Sequence, residues 1–138
     1  MQLEFGPDDD DGFYAARAVL LERFERWLTD DGVGLGIDAA ELAGGAGTAL
    51  EWKWGYGDGD LGRWQTGDVA EFLLEWCPRK LSVSQADCLS IPTALVAFMA
   101  FLESEGLLAT GSSPAAALAD VAASLRLAAD FLSDSTVV

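Results

Sequence analysis

Residues Ala49–Gln65 read ALEWKWGYGDGDLGRWQ, and this stretch decides whether the domain is purely helical or carries a β element. Leu50, Trp52, Trp54 and Tyr56 alternate with Glu51, Lys53 and Gly55, the period of two that marks a half-buried strand. Gly57-Asp58-Gly59-Asp60 then supplies turn chemistry, and Leu61 to Gln65 a short return arm. The spacing therefore predicts a small β-hairpin, or an ordered aromatic loop, within residues 49–65.

On either side the apolar period changes to that of helices. Phe13, Leu20, Phe24, Trp27 and Leu28 fall on one face of a first helix, with Arg17, Glu22, Arg23, Glu25 and Arg26 around it. Asp8 to Asp11 suit its start, because carboxylates cap free amides and complement the positive end of the helix dipole. Asp30-Asp31-Gly32 is the matching stop. Asp38-Ala-Ala-Glu41 has capping-box spacing and predicts a short helical turn that Gly44, Gly45 and Gly47 end.

Beyond the aromatic stretch, Thr66 is a candidate cap for a helix with Val69, Phe72, Leu73 and Trp76 on its apolar stripe, ended by Pro78. Its outer face carries Asp68, Glu71 and Glu75. Ser84 to Asp87 predicts a single turn, Pro92 the first residue of a helix through Leu95, Phe98, Met99 and Leu102, and Gly106 its end. Pro114 opens a last helix in which Leu118, Val121, Leu125, Ala128 and Leu132 form a seam suited to packing inside a bundle. The expected fold is mainly α: a compact bundle of about four to six helices in one acidic domain spanning residues 1–138.

Composition narrows the chemistry. The chain holds no histidine, which removes Ser-His-Asp and Cys-His nucleophile activation, the commonest general base and the commonest transition-metal ligand. Cys77 and Cys88 lack a CxxC partner, so neither a zinc site nor a disulfide framework is expected. With 23 acidic against 8 basic residues the formal charge is −15, which repels a phosphate backbone and disfavours direct DNA or RNA binding. The same excess suits a basic protein partner. No apolar run approaches the length of a membrane helix, and the acidic N-terminus is unlike a secretory signal, so a cytoplasmic protein without membrane contact is expected.

Each candidate site has two readings. Trp52, Trp54, Tyr56, Asp58, Asp60, Arg63 and Trp64 combine aromatics, both charge signs and glycines, a composition typical of protein interfaces. Large aromatics are also the usual material of a core, and Gly-Asp-Gly-Asp is ordinary turn chemistry. Asp58 and Asp60 begin a calcium-loop pattern that fails at Gly62 and Arg63, and GVGLGI at 32–37 fits no nucleotide-binding loop. Arg79 and Lys80 form a candidate anion site, although cations after a helix C-terminus also simply complement its dipole. No pair of carboxylates stands out as an acid/base couple, and no cofactor or metal is indicated.

The run YGDGDLGRWQTGDVAEFLLEWCPRKLS at 56–82, with the Ile91-Pro92 helix and its EGLL end, resembles a region of uncharacterised proteins from high-GC actinobacteria. The likeness spans Trp52 to Leu108 and implies a shared domain without implying an activity or a residue role. The sequence thus predicts a non-enzymatic interaction or regulatory module for a protein partner. The alternative is a small-ligand or divalent-cation domain, with carboxylate-assisted hydrolysis, using Asp58, Asp60, Arg63, Arg79 and Lys80. Oligomeric state is left open.

Overall fold

The computed structural model describes residues 3–30, 38–76 and 85–123, the side chains at 75, 76 and 85–90 excepted. Helix α1 spans Asp10–Asp30. The Asp9 carboxylate accepts the Gly12 amide at 3.2 Å and closes its first turn. Its stripe of Phe13, Ala16, Leu20, Phe24 and Leu28 is buried, at the steps of three and four that keep side chains on one face.

Helix α2 spans Ala39–Gly55, capped by Asp38, which accepts the Ala40 amide at 3.3 Å. It does not stop at the glycines, and residues 49–55 are its last turns instead of the first arm of a hairpin. Among the described residues there is no strand; an isolated antiparallel bridge joins Glu4 to Asp60. The reason is packing. α2 lies between α1 and α4, and Leu42, Ala43, Ala46, Ala49, Leu50, Trp52 and Lys53 are all buried. A Cβ on Gly45 would lie 2.8 Å from the Ala94 Cβ, and one on Gly47 would strike the Arg17 guanidinium. These glycines let two neighbours approach closely, which outweighs their poor helix propensity.

Helix α3 spans Thr66–Glu71 and continues as a π-helical turn, Phe72–Trp76. Gln65, one residue before the expected Thr66, is the N-cap: its amide donates to the Asp68 carboxylate at 2.9 Å in a reciprocal capping box. Val69 and Phe72 are buried, whereas the Trp76 side chain lies outside the described residues.

Helix α4 spans Gln85–Ser104, so Pro92 sits inside a helix it was expected to open. The helix accommodates the missing amide because Ile91, Ala94, Leu95, Phe98, Met99, Phe101 and Leu102 are buried. Its end is a Schellman motif: Gly106, at φ +69°, donates to Glu103, and the Leu107 amide donates to the Leu102 carbonyl at 2.8 Å. Helix α5 occupies 115–123 after Pro114, with Ala115, Leu118 and Ala122 in the core. The rest of the expected seam, Leu125, Ala128 and Leu132, lies outside the described residues. The architecture is a mainly helical bundle, its core centred on α2 and α4. No helix among the described residues is long and apolar enough to cross a membrane.

Candidate functional site

The aromatic stretch leaves α2 through a turn tied at both ends. The Trp52 carbonyl accepts the amides of Tyr56 and Gly57, and the Lys53 carbonyl accepts that of Gly59 at 3.0 Å. Gly59 has φ +77°, and its missing side chain makes room for the Phe5 carbonyl. Phe5 donates to Gly59 and Leu61 donates to Leu3, so the N-terminal segment runs against the turn. On the other side, Ala109 donates to Gly62 and Ser113 to Trp64, at 2.8 and 2.9 Å. The Ser112 hydroxyl accepts the Trp64 amide and donates to the Gly62 carbonyl. The Gln65 amide group donates to Gly111, so residues 61–65 and 109–113 are laced together.

At the centre is Lys53, whose side chain is only 1% exposed. Its Nζ donates to Asp58 Oδ1 at 2.6 Å, lies 3.6 Å from Asp68 Oδ2, and sits 5.3 Å from the centroid of the Trp64 ring. A buried ammonium is costly unless its donors are met, and here two carboxylates and an aromatic face surround it. Asp58 Oδ1 also accepts the Asp60 amide, and Oδ2 accepts Arg63 Nη2 at 2.9 Å. Burial pushes the Asp58 carboxyl up, but the hydrogen bonds from Lys53, the Asp60 amide and Arg63 outweigh it and hold the group down at about 2. The Arg63 guanidinium is pushed up in turn by its bond to Asp58.

The expected cluster therefore divides. Trp52 and Trp64 are core: they stack at 6.5 Å, Trp52 also packs on Phe72 at 5.5 Å, and Trp64 Nε1 donates to the Leu61 carbonyl at 2.8 Å. Asp58, Asp60 and Arg63 stand at the turn beside them, and both Asp58 oxygens are occupied by the chain's own donors. Asp60 Oδ1 accepts the Gly62 amide at 3.1 Å. Trp54 lies apart, half-buried, stacked 4.4 Å from Phe13 with Nε1 donating to the Gly6 carbonyl. Tyr56 is 64% exposed.

Arg79, Lys80 and Cys77 lie outside the described residues, as does the Cys88 side chain. Two partners of this site were not anticipated. Lys53 belonged to the alternating pattern and Asp68 to an outer helix face. The available signal was compositional: a lysine between two tryptophans, in a chain with so few cations, sits where burial is expected. Elsewhere, a shallow groove of about 340 Å³ is lined by Arg23, Arg26, Trp27, Asp30, Ser104 and Glu105. Trp27 Nε1 is buried there without an acceptor. Among the described residues no group of three or more acids or cysteines is placed to hold a metal ion. Comparison with protein-family models, curated proteins and solved structures finds no match to this chain.

Proposed function

We propose that this chain is a non-enzymatic interaction module whose acidic surface meets a basic protein partner. One observation supports the reading: the described carboxylates lie almost all at the surface, while the described cations are buried, half-buried or paired with the chain's own acids. Among the described acids only Asp60 and Asp68 are half-buried, and the rest are exposed. Of the described cations Lys53 is buried, Arg17 and Arg23 are half-buried, and Arg63 is engaged by Asp58. Arg17 donates to the Gly47 carbonyl and lies 3.9 Å from Glu51, while the exposed Arg26 pairs with Glu22. A partner approaching the described surface therefore meets mainly carboxylates. Such a field speeds encounter with a positive protein and repels nucleic acid.

The test is affinity isolation with the immobilised protein at near-physiological salt, followed by elution with high salt. A retained partner of basic composition, released by salt, is the expected result. Retention only of neutral or acidic proteins that resist salt would exclude the reading.

A further inference from the structure

Beyond the Lys53 cluster, the described surface carries one joined aromatic face. Tyr14 on α1 is 50% exposed and meets the half-buried Trp54 of α2 edge to face, with ring centroids 5.9 Å apart. Phe13 lies beneath both, stacked on Trp54 and 5.0 Å from Tyr14. The three rings are held by buried Phe13 and by the bond from Trp54 Nε1 to the Gly6 carbonyl, so the face is set before any partner arrives.

Charge selects what covers it. Asp10 and Asp11 precede Tyr14 by one helical turn and are exposed, as is Glu51, one turn before Trp54. Asp8 and Asp9, just before α1, are exposed as well. The cations on these two turns are already engaged: Lys53 is buried against Asp58, and Arg17 is directed to Glu51 and the Gly47 carbonyl. An aromatic face with carboxylates one helical turn away suits a guanidinium, which stacks on a ring while its N–H groups reach the acids.

We infer that the Tyr14–Trp54 face, with Asp10 and Asp11, is where the partner docks, and that it takes an arginine-bearing segment of a basic protein. This rests on the acidic-module reading and moves the contact from the Trp52–Trp64 turn to the junction of α1 and α2.

The experiment is a titration of the ¹⁵N-labelled full chain with a short arginine-rich peptide at about 150 mM salt, where exposed charges more than roughly 8 Å apart are screened. The indole N–H of Trp54 and the amides of Asp10, Asp11 and Tyr14 are expected to shift, while the indole signals of Trp27 and Trp64 stay in place. Tyr14→Ala is expected to weaken binding about fivefold, the size of a partly exposed cation–π contact. Val19→Ala, which alters another exposed apolar residue on α1, leaves it unchanged. Binding with shifts centred on the Trp27 groove, or unaffected by Tyr14→Ala, would overturn this surface and leave the basic-partner reading standing. Absence of any shift would overturn both.

Discussion

Lys53 and Asp58 form one ion pair with unequal ends. The lysine is enclosed, while the aspartate side chain is 38% exposed and keeps Arg63 as a second partner. Removing the aspartate's charge strands a buried ammonium with only Asp68 at 3.6 Å. Removing the ammonium leaves a carboxylate that Arg63 and water still satisfy. Asp58→Asn is therefore expected to destabilise the protein by about 2 to 3 kcal/mol, and Lys53→Met by about 1 kcal/mol or less. Urea midpoints of the two variants check the order. Acid adds a second test. The folded Asp58 carboxyl lies near 2 against an ordinary 3.8, so its contribution is fully present above about pH 4 and is lost as pH falls towards 2. The stability of Asp58→Asn should consequently fall less than that of the unaltered chain across this window, as acid titrations followed by circular dichroism would show.

Among the elements, α2 shows what spacing conveyed and what it hid. The stripe of α1 is legible because that helix buries one apolar face, so Phe13, Leu20, Phe24 and Leu28 declare the period by themselves. α2 buries glycines, alanines and a lysine beside Leu42, Leu50 and Trp52, and so mixed a set hides its helical period. With Lys53 counted as polar, Leu50, Trp52 and Trp54 look like alternate positions of a strand; with Lys53 counted as buried, Ala46, Ala49, Leu50 and Lys53 share a helical face. The turn at 57–60 was legible from its glycines and aspartates. Its closure on Lys53 was not, because pairing with Asp68 and lacing to residues 109–113 depend on tertiary neighbours.

Two adjacent glycines test this view of α2. Gly44 is exposed with nothing within 4 Å of a would-be Cβ, so Gly44→Ala should stabilise the protein by about 0.5 to 1 kcal/mol through helix propensity alone. Gly45 faces the Ala94 Cβ at 2.8 Å, so Gly45→Ala should destabilise by about 1 to 3 kcal/mol as α2 and α4 are forced apart. Thermal melts of the pair read out the change of sign. Were residues 49–55 a strand preceded by a glycine loop, neither substitution would carry these signs.

Across the whole molecule, self-repulsion is the largest electrostatic effect. A formal charge of −15 on 138 residues opposes compaction at low ionic strength. Raising salt from about 20 mM to about 500 mM screens that repulsion over distances beyond roughly 5 Å and should raise the melting temperature. The Lys53–Asp58 contact, short and half-enclosed, is screened far less. A melting temperature that fell with added sodium chloride would mean that attractive surface pairs outweigh repulsion.

The proposed division of labour, in which one turn holds the fold and an acidic face meets a partner, can be measured in one number: the affinity of folded Asp58→Asn protein for an arginine-rich peptide at about 150 mM salt. An affinity within about twofold of the unaltered chain is expected, because the Asp58 charge is already directed to Lys53 and Arg63. A loss of tenfold or more in a variant whose helices remain intact would place the partner on the Trp52–Trp64 turn and contradict the assignment.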